Sequence, residues 1–274
     1  MPNYFFSLLI LLLPFFAVAQ NSKAKEWEVE ADTLMQRENF KEALKLYTKC
    51  IDASQLKSPQ DFSALYKRGV AYYRLAEYSS ALKDIDQLLA KNPQIVQGYI
   101  LRAFIYRETK EMTKELESIQ SALELTQDPG LMKWRASLLL QNGSYSEAKR
   151  DLLFLRGLQT DPETETQLGF IYQAQDDPDS AIMCINKAIE LEPSYLPAYF
   201  YAGSLCLQEE AYEMGLKYVD LGLRLEPQNA TLLMYKGIAL VELKNLDEGC
   251  RMLRKSLAAG EKEAQDYLVQ YCYK

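Results

Sequence analysis

The side chains able to carry chemistry are five cysteines, one short run of acids and a scatter of aromatic and cationic residues; there is no histidine. Lack of imidazole excludes His-based general acid/base catalysis, Ser–His and Cys–His nucleophile pairs, and zinc or iron sites that depend on it. The cysteines are Cys50, Cys184, Cys206, Cys250 and Cys272, and no two of them form a CxxC dithiol. Cys184 with Cys206, and Cys250 with Cys272, are each 22 residues apart across a turn between helices. Such spacing puts both members at similar height on antiparallel helices, but height alone does not bring two sulfurs within bonding reach. The preferred reading is five small, buried apolar side chains, with a disulfide in either pair as the alternative.

Asp176, Asp177 and Asp179 are the densest acidic group. A calcium site asks for about six to eight oxygens, whereas carboxylates beside a helix start commonly cap it, so capping is expected here. No phosphate-binding glycine loop is present. The formal net charge of −7 argues against nucleic acid as a partner, because phosphate neutralisation needs a basic surface. A chain that is 48% hydrophobic and 25% charged is globular rather than disordered. No cofactor, metal or catalytic residue is expected, and the chain reads as a non-enzyme.

Residues 1–19 read as an address. Nothing between Tyr4 and Ala19 is charged, and the run ends Ala17-Val18-Ala19, a small-x-small pattern that a signal peptidase accepts. Pro14 interrupts the run, and its sixteen residues fall short of the roughly 20 needed to span a bilayer. Cleavage after Ala19 and export to a periplasm or the exterior are expected. No Lys or Arg precedes the run, which keeps a retained N-terminal anchor as the alternative.

The elements that position everything else come from an internal repeat. A small residue recurs at Ala31, Gly69, Ala103, Ala136, Gly169, Gly203 and Gly237, at spacings of 38, 34, 33, 33, 34 and 34. Twelve residues after each stand Ala43, Ala81, Glu115, Ala148, Ala181, Gly215 and Gly249. Three after each anchor is a larger apolar residue, for example Tyr72, Tyr106 and Tyr172. Apolar residues at helical spacing flank both series, as in Leu65, Gly69 and Tyr72, then Ala81, Ile85 and Leu88. Each period is therefore expected to be a helix–turn–helix, with small residues where the two helices approach. Pro93, Pro193 and Pro227 close units at matching places, and Pro129 and Pro162 are displaced by two.

These features resemble the tetratricopeptide repeat. RGVAYYRLAEYSSALKDIDQLLAKNP (68–93) and LGFIYQAQDDPDSAIMCINKAIELEP (168–193) carry the resemblance best. It implies an all-α, right-handed α-solenoid of about seven repeats over residues 20–258. Ala264, Tyr267, Leu268 and Tyr271 give residues 259–274 the spacing of a C-terminal capping helix. Glu115 in place of a small residue, and Leu88 and Leu155 where the family prefers Ala, predict looser packing in the third and fourth repeats. Four extra residues around Ala53–Gln60 loosen the join between the first and second.

Repeats of this kind line a concave surface with their first helices. Projection from the anchors puts Tyr66, Tyr73, Arg74, Phe104, Arg107, Lys133, Phe170 and Phe200 on that surface, with Val70, Ile100, Ser137, Thr166, Gln173, Ser204, Met234, Ile238 and Val241. The expected use is a groove for a protein or peptide partner, with rings as anchors and cations holding a carboxylate. The bland alternative is that these residues only pack against neighbouring helices. A Lys/Asn carboxylate clamp known in the family is not matched, since Tyr66, Val70, Ile100 and Phe104 stand at those places. The competing function is a self-associating module of the cell envelope, with weak homo-oligomerisation.

Overall fold

The computed structural model describes residues 23–54 and 61–273. The expected signal segment, residues 1–19, lies outside the described residues, as do residues 55–60 of the stretch Ala53–Gln60 that carries the four extra residues. Within them the chain is helical and without strands. The first helix, α1, covers 23–36. It is followed by α2 (Phe40–Ser54), α3 (Asp61–Arg74), α4 (Tyr78–Lys91), α5 (Val96–Glu108), α6 (Met112–Leu123), α7 (Pro129–Gln141) and α8 (Tyr145–Leu158). Then come α9 (Pro162–Ala174), α10 (Pro178–Leu191), α11 (Leu196–Gln208), α12 (Tyr212–Leu225), α13 (Ala230–Glu242), α14 (Leu246–Ala258) and α15 (Ala264–Tyr271). Odd and even helices pair as first and second helices of a repeat, which is the α-solenoid expected from the sequence. The chain divides into two compact units, one ending at Leu131 and one beginning at Met132.

Every first helix ends in the same way. The residue seven places after each anchor (Glu38, Ala76, Lys110, Gly143, Asp176, Glu210 and Lys244) has positive φ, between 56° and 75°. The next residue's N–H then reaches back five places, as in Glu77 to Tyr72 O (2.9 Å), Glu111 to Tyr106 O (2.8 Å) and Asp177 to Tyr172 O (3.0 Å). This left-handed step satisfies carbonyls that the helix leaves open and turns the chain into the second helix.

Second helices stop at a proline or a cap. Pro93, Pro193 and Pro227 directly follow the C-cap residues Asn92, Glu192 and Glu226. Pro129 and Pro162 behave differently: each opens a helix, since a first-turn proline lacks only an N–H that has no helical partner. A shift of two residues thus turns a terminator into an initiator. Asp161, Asp177 and Asn229 cap α9, α10 and α13, accepting from the backbone N–H of Thr164 (3.0 Å), Ser180 (3.1 Å) and Leu232 (3.2 Å). A cap of this type is worth about 1 kcal/mol.

The core of the N-terminal unit gathers Ala31, Ala43, Leu65, Ala81, Ile85, Leu88 and Ile105. In the C-terminal unit one cluster joins Ala181, Ile185, Ala188, Ala198, Ala202 and Leu205, and another lies under α15. Leu88 and Leu155, the departures from the repeat pattern, are buried in unbroken helices. Glu115 is also buried, with one carboxylate oxygen 3.2 Å from Arg107 Nε.

Candidate interaction surface

In the N-terminal unit the projected rings Tyr66 and Tyr73 pack against the edge of the core, and both, with Phe104, are left half-buried along the first helices. Tyr66 packs on the edge of the core, and burial holds its hydroxyl above the usual range. The Tyr73 ring sits 6.1 Å from Tyr78 and 6.4 Å from Phe104, both tilted. Arg107 lies over the Phe104 face at 5.5 Å while its Nε faces Glu115. Arg74 lies over Phe40 at 4.9 Å and 3.5 Å from Glu38.

A charged group missed by the projection stands on α1 and α3. Lys67 Nζ donates to Glu28 and to Asp32, each at 2.7 Å, Ser63 Oγ donates to Glu28 at 2.8 Å, and Tyr47 OH donates to Asp32 at 2.7 Å. Burial alone would lower the Lys67 ammonium, but its hydrogen bonds to Asp32 and Glu28 outweigh that and raise it. It stays charged.

The C-terminal unit repeats the theme. Phe170 on α9 lies edge-on between Tyr145 at 5.9 Å and Tyr201 at 6.0 Å. Gln173 Nε2 donates to Gln208 Oε1 at 2.6 Å, linking α9 to α11, and Phe200 is half-buried on α11. Lys133 Nζ lies 3.0 Å from Asp161 and 3.7 Å from Glu163. The ring positions share a register: Tyr78 and Tyr145 stand nine residues after their anchors, and Phe104 and Phe170 one residue after theirs. Tyr78, Tyr145 and Tyr201 were not projected, although the nine-residue offset was available to find the first two. The projected cations Arg74, Arg107 and Lys133 each have an acidic neighbour within the chain, so a partner carboxylate would compete with it.

Four projected groove positions are corrected. Met234, Ile238 and Val241 are buried under α15 with Leu253, Ala264 and Leu268. Thr166 is buried as well, its hydroxyl donating to Pro162 O at 2.7 Å. The preferred cysteine reading also changes, because Cys250 and Cys272 form a disulfide. Equal height and facing side chains coincide at this pair only among the described residues; Cys184 and Cys206 are separate buried thiols.

Burial raises both of those thiols, Cys206 to about 11. For Cys184 the hydrogen bond from Arg156 Nη2 (3.1 Å) pulls the other way without overcoming burial. Thiolate is the nucleophile, so neither is poised for covalent chemistry near neutral pH. Cys206 also lines a 210 Å³ cavity with Ile182, Leu205 and Met214. Among the described residues no cluster of three or more side chains is arranged to hold a metal, and no helix is long and apolar enough to cross a membrane.

Comparison with known proteins agrees with this architecture. Residues 29–82 and 166–195 match tetratricopeptide-repeat family models, and residues 63–116 match the Fis1 C-terminal tetratricopeptide repeat. The human tetratricopeptide repeat protein 6 is 24% identical over 209 residues, which cover 75% of this chain and 39% of that protein. The chain thus spans about two fifths of the length of this relative. Among solved structures, the C-terminal part of a TPR repeat-containing protein from Cytophaga hutchinsonii superposes with a TM-score of 0.68 at 21% identity, covering 87% of this chain and 98% of that one. A tetratricopeptide repeat protein from Parabacteroides merdae gives a TM-score of 0.62 at 15% identity, covering 91% and 98%. At such identities the likeness establishes the fold. Segments 29–116 and 166–195 are thus similar to tetratricopeptide repeats in sequence, and the fold around them is that of tetratricopeptide-repeat structures.

Proposed function

We propose that the chain is an exported, non-catalytic interaction protein that takes a protein or peptide partner on the face formed by its first helices. The observation that carries this reading is the line of half-buried rings Tyr145, Phe170 and Tyr201, echoed by Tyr78, Tyr73 and Phe104. Tyr73, Tyr78 and Tyr201 pack on the edges of their cores and remain half-buried, so part of each ring stays open to a partner. Rings of this size supply most of the contact energy at peptide-binding surfaces. Absence of histidine and the protonated buried thiols support the non-catalytic part. The apolar run ending Ala17-Val18-Ala19 supports export. Peptides selected on the chain from a displayed random library are expected to share an aromatic or aliphatic anchor; selection that enriches none counts against the reading. Mass measurement of the protein from its native envelope tests export, cleavage giving a chain that starts at Gln20.

Self-association has its own supporting observation in the C-terminal unit. Leu158, Leu191 and Leu225 stand 22 residues after Ala136, Gly169 and Gly203, on α8, α10 and α12. They are 58%, 40% and 43% exposed, and Phe154 and Leu221 sit one turn before two of them. Apolar residues repeated in register on second helices offer a face for a second copy. Sedimentation showing a monomer at high concentration removes this reading, as does an oligomer that is unaffected by Leu191→Glu.

A further inference from the structure

The C-terminal helix α15 is eight residues long, too short to hold its shape without tertiary support. Its docking depends on a small set of contacts. Ala264 and Leu268 are fully buried against Met234, Ile238, Val241 and Leu253. Tyr271 OH donates to Glu242. At its near end α15 hangs on the turn around Gly260, whose φ of +110° is one that L side chains rarely adopt and whose α-carbon faces open space. At its far end Cys272 is bonded to Cys250 on α14. The helix is therefore tied at both ends, by the turn around Gly260 and by the disulfide.

We propose that Cys250–Cys272 is a thiol-exchange site that latches α15 over α13, so that a dithiol reductant opens this end of the C-terminal unit. Cys250 is buried whereas Cys272 is half-buried beside the exposed Tyr273, which directs attack to Cys272 Sγ. The incoming thiolate forms a bond to Cys272 Sγ as the S–S bond breaks. Cys250 leaves as a thiolate and takes a proton from water. The second sulfur of the dithiol then displaces Cys272, which also ends as a thiol, and the reductant is left as a disulfide. Two electrons pass from the dithiol to the pair.

What the latch covers gives the opening its consequence. Met234, Ile238 and Val241 occupy on α13 the register that Tyr66, Val70 and Tyr73 occupy on α3. With α15 released, these apolar residues are uncovered on the same helix series as the ring-bearing positions. The opening itself is independent of whether those positions bind a partner.

Hydrogen exchange of the full chain, with and without dithiothreitol, reads the latch directly. Releasing a 22-residue closed loop is expected to lower the protection of α15 amides on the order of a hundredfold. Amides of α9 to α12 are expected to stay as they were, and reoxidation to restore α15. Cys250→Ser should show the open pattern without reductant, and Cys184→Ser should still respond to it. If Cys250→Ser does not fold, reduction and reoxidation of the unaltered chain carry the test. Unchanged protection of α15 on reduction overturns the proposal. So does a loss shared by the whole C-terminal unit, since the bond would then be a staple for the unit rather than a latch on one helix.

Discussion

Gly237 and Gly249 bring α13 and α14 to backbone distance. A Cβ added to Gly249 would lie 3.0 Å from the Gly237 carbonyl oxygen and 2.5 Å from Val241 Cγ1, and one added to Gly237 would lie 3.1 Å from the Gly249 carbonyl. This mutual approach is the physical meaning of two small residues twelve apart. Gly249→Ala is expected to cost about 1–3 kcal/mol, because neither the carbonyl nor Val241 can give way without moving a helix. Gly157, in α8, has open space around its α-carbon, so Gly157→Ala is expected to gain about 0.5 kcal/mol. Chemical denaturation of the two variants should show shifts of opposite sign.

Six of the seven first-helix ends place a residue other than glycine in the left-handed region. A side chain there costs about 1–2 kcal/mol, partly offset by the extra freedom that glycine has when unfolded. Ala76→Gly and Lys110→Gly are each expected to raise stability by about 0.5–1 kcal/mol, and Gly143→Val to lower it by more than that. Thermal unfolding compared across the three variants checks the sign.

Arg68 holds Asp84 with two hydrogen bonds of 2.8 Å, and the Asp84 side chain is 4% exposed. Arg135 holds Asp151 in the same way, at 2.7 Å, again sixteen residues apart. Asp84→Ala leaves the half-buried guanidinium without its counter-ion and is expected to cost about 3–5 kcal/mol. Removing Lys45 from its exposed pair with Glu42 should cost less than about 0.5 kcal/mol. Equilibrium unfolding of both variants measures the contrast.

The frame was legible in the sequence because close helix approach admits only small residues, and that demand recurs at Ala31 and Ala43 as at Gly237 and Gly249. Left-handed turns were not legible, since Gly143 alone among seven carries the usual marker and Glu38 or Lys244 advertises nothing. Arg68–Asp84 escaped because a sixteen-residue separation across a turn follows no single-helix period. Ring positions were partly found: projection along one helix yields Tyr73, Phe104 and Phe170, but Tyr78 and Tyr145 come from the following helix. Met234, Ile238 and Val241 were misplaced because their register is that of a first helix, and projection from the anchors took no account of α15, which covers them.

Tyr271 donates to Glu242, and that hydrogen bond is the main cause that pushes its hydroxyl up to about 12 from an ordinary 10. A raised pKa in the fold means the stabilisation is complete below about pH 10 and is lost as pH rises through about 12. Tyr271→Phe is therefore expected to loosen α15 at neutral pH, and its difference from the unaltered chain should vanish across that alkaline window. Hydrogen exchange at neutral pH and circular dichroism against pH follow it.

Calorimetric titration of a library-selected peptide into the full chain tests the proposed use of the first-helix face most directly. The peptide would be measured against the unaltered chain, Phe104→Ala and Phe170→Ala, with circular dichroism confirming that the helices persist. Truncation of a ring that anchors the peptide is expected to weaken binding at least tenfold, about 1.4 kcal/mol or more. Affinity that is the same in both variants as in the unaltered chain would contradict the account and move the partner away from these rings.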